Sequence, residues 1–139
     1  MSISLREEAI SLITEYYAVF NSGDREAFLS LLHEDVIHDL NQGSTEIGTD
    51  TFRTFLQRMD RSYKEQVKDL QVFANDEGTR AAAEFFIDGA YLQTDEGLPP
   101  ATGQTYYLRV GAFFEIEGGK VKRITNYYNL QEWLRLVGA

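Results

Sequence analysis

The segment HEDVIHDLNQG, residues 33–43, carries side chains suited to proton transfer. It has the character of a β-strand, yet Asp39, His38 and Asn41 stand where apolar residues are usual. A carboxylate can act as a general base, and an imidazole can act as an acid or a base near neutral pH. Because side chains alternate between the two faces of a strand, Asp39 and His38 point to opposite faces. Only one of the two can therefore face a pocket.

A second group of polar residues lies near the end of the chain, in the segment RITNYYNL. Alternation places Ile124, Asn126 and Tyr128 on one face of this predicted strand. Asn126 can supply an amide donor, and Tyr128 can supply a stacking wall with a polar tip. The alternative is a half-buried strand whose asparagine satisfies neighbouring backbone groups.

The composition excludes several classes of function. The 139 residues include no cysteine, which excludes disulfides, thiolate metal sites and a cysteine nucleophile. The two histidines show no metal-ligand spacing, so we expect neither a metal nor another cofactor. A net charge of −9 argues against nucleic-acid and membrane partners, whereas an aromatic content of 13% is typical of apolar ligand pockets. The N-terminus has no secretory pattern, and we expect a cytoplasmic protein.

Three helices are predicted in the first half of the chain. Ser4 and Glu7 form a capping-box pattern before the first helix, and Gly23 suits the left-handed residue that ends it. Asp24 can cap a short second helix, and a third begins near residues 49–50.

From residue 64 onward the sequence is typical of strands separated by turns. Helices followed by a meander of strands predict an α+β fold, in which a curved antiparallel sheet packs against three N-terminal helices and encloses a conical cavity. We expect one domain spanning residues 1–139. The predicted strands cover residues 36–41, 67–74, 80–93, 104–117 and 120–129, and a last short helix covers residues 130–137.

Several segments, in this order, resemble the ketosteroid isomerase and SnoaL-like cyclase group of the nuclear transport factor 2-like superfamily. YYAVFNSGDREAFLSLLHEDV is similar to the first two helices of that group, and GTDTF to the start of its third helix. GLPPATG resembles a loop of the cyclase branch, and FFEIEGGKVKRITNYYN resembles its final hairpin. The resemblance covers almost the whole chain, most specifically to proteins described as ketosteroid-isomerase-related. It implies a cone-shaped, cystatin-like fold.

The resemblance implies a catalytic base in the first strand. Counted back from Gly48 the base of the isomerases falls on Asp39, whereas a count from the upstream turn without a gap falls on Leu40. We favour Asp39 on the pocket face, with Ile37 and Asn41 beside it. The opposite register puts Val36, His38 and Leu40 in the cavity with no carboxylate. A single histidine on a strand is also more often a surface group than a catalytic one.

The resemblance implies two hydrogen-bond donors beside that base. Tyr16 matches the tyrosine that the isomerases place on their first helix, and it is predicted to hydrogen-bond a developing enolate. The alternative is a core aromatic whose hydroxyl bonds to any partner. The face that carries Asn126 corresponds to the pocket side in the family, so Asn126 is the second predicted donor.

The second oxyanion-hole aspartate of the isomerases corresponds to Gly111, which has no donor side chain. Loss of one such donor typically costs about two to three orders of magnitude in rate. The space is then open to a bulkier ligand. For Trp133 the alternatives are a plug in the cone or a dimer contact. The predicted ligand contacts are Asn41, Tyr91, Gly111, Phe113, Tyr128 and Trp133.

Three functions fit this pattern. The first is a cofactor-independent acid–base enzyme, of isomerase, dehydratase or cyclase type, acting on a hydrophobic carbonyl compound. The second is a non-catalytic domain that binds a hydrophobic ligand in the same pocket. The third is a scaffold whose filled cone serves only dimerisation, and the volume of the cavity separates it from the other two. The resemblance also implies a homodimer.

Overall fold

The computed structural model describes residues 3–41 and 43–138. Its strands are β1 (Leu32–Asp39), β2 (Thr45–Ile47), β3 (Tyr63–Ala74), β4 (Arg80–Tyr91), β5 (Thr105–Glu117) and β6 (Lys120–Tyr128). They form one curved sheet in the order β2-β1-β6-β5-β4-β3. Neighbouring strands are antiparallel, except that β1 and β6 are parallel. The sheet is therefore mixed.

The helices pack on one face of this sheet, which we call the inner face. They are α1 (Leu5–Ser22), α2 (Arg25–Leu29), α3 (Thr49–Ser62) and α4 (Leu130–Leu136). None of them is long and apolar enough to cross a membrane. The α+β fold with three N-terminal helices is confirmed.

Local signals in the sequence explain where the first two helices begin and end. The Ser4 side chain accepts a hydrogen bond of 3.1 Å from the backbone of Glu7, and Gly23 ends α1 with φ +82°. That left-handed conformation is inexpensive only for glycine. Asp24 then caps α2 by accepting from the backbone of Ala27 at 3.0 Å. Both turns were predicted.

The core lies between the inner face and α1. Ile13 on α1 and Ile124 on β6 have no exposed surface, and Phe28 on α2 is 1% exposed. Aromatic rings fill the junction, with Tyr16 and Phe28 at 4.6 Å and Tyr17 and Phe85 at 4.7 Å between ring centroids. These contacts pack α1 against α2 and against β4.

Several features of the sheet differ from the prediction. Strand β1 covers residues 32–39 instead of 36–41, and the short strand β2 was not predicted. Strand β3 begins at Tyr63, four residues before the predicted start at residue 67. Its polar opening YKEQ lacks the apolar run that signals a strand, but it pairs with residues 88–91 of β4. The parallel pairing of β1 with β6 joins distant parts of the chain, and no local pattern in the sequence indicates it.

A candidate active site in the cavity

A cavity of about 520 Å³ lies between the inner face and the helices. This volume is within the range of small-molecule sites, roughly 300–1,000 Å³. Apolar side chains such as Phe85, Leu108 and Val110 form most of its wall. A cavity of this volume argues against the scaffold with a filled cone, because it leaves room for a ligand.

Glu65 supplies a carboxylate to this cavity. It lies on β3 between Tyr63 and Val67, and all three side chains reach the cavity by strand alternation. The Tyr106 hydroxyl donates a hydrogen bond of 2.5 Å to Oε2 of Glu65. No described residue donates to Oε1, so that oxygen is available to a ligand.

Gly89 makes the Tyr106–Glu65 contact possible. Tyr106 on β5 pairs with Gly89 on β4, and Gly89 pairs in turn with Glu65 on β3. The tyrosine ring lies directly over the glycine, where a Cβ atom would stand 2.4 Å from the ring. Only a residue without a side chain allows Tyr106 to reach across the central strand.

The environment of Glu65 favours the neutral acid more than water does. Burial raises its pKa, and the Tyr106 hydrogen bond and the positive charge of Arg25 offset this only in part. Arg25 itself pairs with Asp60, with 2.6 Å between Nη2 and Oδ1. Glu65 thus has no direct cationic partner among the described residues, and a raised pKa is what a general base needs near neutral pH.

Two phenols from α1 face the same cavity. Tyr16 and Tyr17 both line it, and their rings meet edge to face at 4.9 Å. The Tyr17 hydroxyl is buried and has no hydrogen-bond partner in the described ranges. Burial raises the pKa of both phenols, so both remain protonated donors at neutral pH. The structure thus places Tyr16 where it was predicted and adds Tyr17.

His38 lies on the cavity side of β1. Its ring stacks on Phe52 at 4.4 Å and meets Phe55 edge-on at 4.6 Å, and its side chain is 4% exposed. Burial lowers the pKa of His38 to about 4, against a smaller opposing effect of the Asp39 charge. The imidazole is therefore neutral at pH 7.

Asp39 does not face the cavity, so its predicted position is wrong. It lies on the outer face of the sheet, where the Nε and Nη2 atoms of Arg123 donate hydrogen bonds of 2.7 and 3.1 Å. The hydroxyls of Thr45 and Thr125 donate two more, at 2.8 and 2.6 Å. These contacts hold the pKa of Asp39 well below its usual range, the Arg123 hydrogen bond contributing most. A carboxylate held this way is a poor base.

The physical reason for this register is the cost of burying charge. An ionised carboxylate requires paired partners when it leaves water, and β6 and β2 offer three of them on the outer face. A neutral imidazole can instead stack on the phenylalanines of α3. The inward face of β1 therefore carries Val36 and His38, both buried.

Four other predicted residues line the cavity, and they come from β6, from α4 and from the turn after β1. Asn126 and Tyr128 project from β6, as alternation predicted. Asn41 follows β1 and donates a long bond of 3.4 Å to the Tyr128 carbonyl, and Trp133 reaches in from α4. The positions suit ligand contact, and their roles remain predictions.

Gly111 and Phe113 are not in the cavity, contrary to prediction. On β5 the inward positions are even-numbered, and Val110 occupies the wall there. Phe113 is 55% exposed and packs against Tyr127 on the outer face, with 5.8 Å between ring centroids. Gly111 therefore lies outside the cavity wall, and the inward side of β5 carries no carboxylate at this level.

Tyr91 has a structural position rather than a place in the cavity wall. Its side chain is completely buried. Its hydroxyl donates a hydrogen bond of 2.7 Å to the Pro99 carbonyl and accepts one of 3.0 Å from the backbone N–H of Asp95. The ring stacks on Tyr63 at 5.3 Å. Tyr91 thus secures the loop between β4 and β5, and the prediction of ligand contact is wrong.

Sequence reasoning missed Glu65 and Tyr106. A usable signal was present, because Tyr63, Glu65 and Val67 continue the alternation of β3 backward into the polar segment. In the described ranges, no group of three acidic or histidine side chains is arranged to hold a metal ion. The arrangement instead combines the unpaired Oε1 of Glu65 with phenol donors in a largely apolar cavity, which suits proton transfer.

Comparison with known proteins gives a consistent picture. The SnoaL-like domain family matches residues 13–124. A candidate polyketide cyclase from Xanthomonas campestris pv. campestris is 56% identical, with a TM-score of 0.94 over 97% of this chain and 100% of that chain. Another from Pseudomonas putida KT2440 is 51% identical, with a TM-score of 0.93 over 99% and 100%. A third, from Silicibacter sp. TM1040, is 40% identical, with a TM-score of 0.93 over 99% and 100%. No curated protein matches the sequence.

Proposed function

Because this chain belongs to the SnoaL-like domain family, we propose that its cavity is the active site of a cofactor-independent acid–base enzyme of the cyclase and isomerase type. Its substrate is a hydrophobic carbonyl compound. The proposal is supported above all by Glu65, a carboxylate with a raised pKa and one unpaired oxygen in an apolar cavity. The similarity to candidate polyketide cyclases is consistent with such a substrate.

The reaction begins with transfer of a proton from the carbon next to the carbonyl to Oε1 of Glu65. The electron pair of the broken C–H bond moves to the carbonyl oxygen and forms an enolate. The Tyr16 and Tyr17 hydroxyls are suited to donate hydrogen bonds to that oxygen, because both line the cavity and remain protonated. The proton on Glu65 then returns to another carbon or passes to water.

Tyr106 acts on this step through Glu65. Its hydrogen bond to Oε2 fixes the plane of the carboxylate and leaves Oε1 toward the cavity. A half-buried carboxylate with only one donor is costly for stability. Such a cost is common at functional sites and uncommon in a filled core, which favours a catalytic role over a structural one.

The test is deuterium exchange into 2-tetralone, a hydrophobic ketone with acidic α-protons, followed by NMR in D₂O. Wild-type protein is expected to accelerate exchange, and Glu65→Gln should reduce the rate by about 10²- to 10⁴-fold, the range for a general base. Asp39→Asn is the matched control, since that carboxylate is on the outer face. If Asp39→Asn abolishes exchange and Glu65→Gln does not, the assignment of the base is wrong.

A non-catalytic binding domain is the competing function. It predicts that 2-tetralone perturbs the NMR signals of cavity residues while its α-protons exchange no faster than in buffer. That result would overturn the enzymatic proposal and retain the cavity as a ligand site.

A further inference from the structure

Glu46 and His38 are cross-strand neighbours whose polar atoms are unpaired. They stand opposite each other on β2 and β1, and Nδ1 of His38 lies 4.0 Å from Oε1 of Glu46. Both atoms are buried, and neither has a hydrogen-bond partner in the described ranges. Leaving two such atoms unsatisfied is expensive, and their placement against each other indicates a functional pairing.

The distance of 4.0 Å is too long for a direct hydrogen bond, but the Glu46 side chain can close it. That side chain is 33% exposed, and a movement of about 1 Å brings the carboxylate to hydrogen-bond distance. The imidazole cannot move in the same way, because Phe52 and Phe55 hold its ring on two sides. Glu46 therefore adjusts to His38.

The other ring nitrogen has a different environment. Nε2 of His38 receives no hydrogen bond from the described residues, and the residue lines the cavity. When Nδ1 carries the proton and donates to a carboxylate, Nε2 is left with a lone pair. That lone pair is then a neutral hydrogen-bond acceptor at the cavity wall.

We propose that Glu46 holds His38 in the Nδ1–H form, and that Nε2 of His38 accepts a hydrogen bond from a hydroxyl group of the substrate. The substrate is thus a hydrophobic carbonyl compound that also carries a phenol or enol hydroxyl. This inference rests on the proposed function in taking the cavity as the substrate site. His38 contacts the ligand, and Glu46 is a positioning residue.

The cavity contains complementary partners for such a molecule. Tyr16 and Tyr17 offer donors for a carbonyl oxygen, whereas His38 offers an acceptor from β1. A hydroxyl that approaches His38 enters a wall formed by Phe52 and Phe55, where water competes poorly for the bond. A ligand with both groups satisfies donors and acceptor together.

The first test is the tautomer of His38, read from the side-chain ¹⁵N shifts of the free protein at pH 7. His33→Gln assigns the signals, because His33 and His38 are the two histidines of the chain. Wild type and Glu46→Gln, which retains an acceptor oxygen, should show the Nδ1–H form. Glu46→Ala should lose it, and Ile47→Ala, an exposed change on the same strand, should not. An Nε2–H signal in wild type would overturn the proposal.

The second test uses 2-naphthol and 2-methoxynaphthalene, which differ in a hydroxyl proton. Addition of 2-naphthol should shift the Nε2 signal of His38, and addition of 2-methoxynaphthalene should not. Wild type should bind 2-naphthol about fivefold more tightly than 2-methoxynaphthalene, which is the effect of one ordinary hydrogen bond. His38→Phe should bind the two compounds equally. An unchanged Nε2 signal with bound 2-naphthol contradicts the inference.

The same titration in Glu65→Gln separates this inference from the proposed catalytic step. A retained Nε2 shift in that variant, together with no exchange of 2-tetralone in wild type, supports the hydroxyl site and rejects the enzyme. Exchange of 2-tetralone in wild type without the Nε2 shift supports the enzyme and rejects the hydroxyl site.

Discussion

The Tyr106 hydroxyl lies 2.5 Å from the Glu65 carboxylate, although the two residues belong to strands that are separated by a third. The tyrosine spans β4 above Gly89, which has no side chain to obstruct it. The relationship links a glycine in the sheet to the orientation of the proposed base. The addition of one methyl group at Gly89 should therefore disturb the contact between Tyr106 and Glu65.

Gly89→Ala should therefore destabilise the protein and disturb the base. The new Cβ would lie 2.4 Å from the Tyr106 ring, and overpacking of this kind costs about 1–3 kcal/mol. Urea unfolding measures the change in free energy. Gly111→Ala is the control, because a Cβ there meets nothing within 4 Å, and it should cause no loss. Equal effects of the two changes would contradict the close packing at Gly89.

Tyr106→Phe should move the pH dependence of 2-tetralone exchange to higher pH. The Tyr106 hydrogen bond lowers the pKa of Glu65, in opposition to burial, so its removal raises that pKa further. A general base works in its ionised form, and its rate therefore rises as pH passes through its pKa. The rate profile of the variant, compared with wild type, gives the midpoint. An unchanged or lower midpoint would show that the phenol does not act on Glu65.

His38 should make the wild type lose stability on acidification. Its pKa falls from 6.5 to about 4 on folding, so the unfolded chain takes up a proton between these values and the folded protein does not. The stabilising contribution is full above pH 6.5 and declines toward pH 4, by up to about 3 kcal/mol. Urea unfolding at pH 7 and pH 4.5 measures it. His38→Phe should show a shallower decline, and parallel declines would contradict the lowered pKa.

Asp39→Asn should reduce stability while leaving exchange intact. It removes the charge from a carboxylate that accepts four hydrogen bonds on the outer face, and charged bonds contribute about 1.5–3 kcal/mol. Because folding lowers the pKa of Asp39, its contribution is full above the ordinary carboxyl pKa of 3.8 and declines progressively as pH falls from 3.8 toward the lowered pKa of the folded protein. Thermal unfolding at pH 7 and pH 3 tests this. Asp35→Asn, an exposed change on the same strand, should have little effect.

The fold could be predicted from the sequence because its signals are local. The caps at Ser4, Gly23 and Asp24 and the alternation of β6 each depend on a few neighbouring residues. The cavity position of Asn126 followed from the same alternation. Where one face of a strand is wholly apolar, its register is fixed by burial.

The base could not be predicted because the decisive facts are not local. Whether Asp39 or His38 faces inward depends on Arg123, which is 84 residues away in sequence, and on the parallel pairing of β1 with β6. Glu65 was missed because its segment is polar and its partner, Tyr106, is 41 residues away. The Asp39–Arg123 ion pair and the Tyr106–Glu65 hydrogen bond both join residues distant in sequence, and hydrophobic patterning does not reveal such partners.

The loop between β4 and β5 has a consequence for how a ligand arrives. It contributes Asp95 and Leu98 to the cavity, and Tyr91 ties it down through the Pro99 carbonyl and the Asp95 backbone. The Tyr63 hydroxyl holds the Asp95 carboxylate at 2.9 Å. Because this loop is already fixed, it needs no ordering step when a ligand binds. The observed rate of binding should then rise linearly with ligand concentration as a single phase, without the plateau that a slow rearrangement imposes.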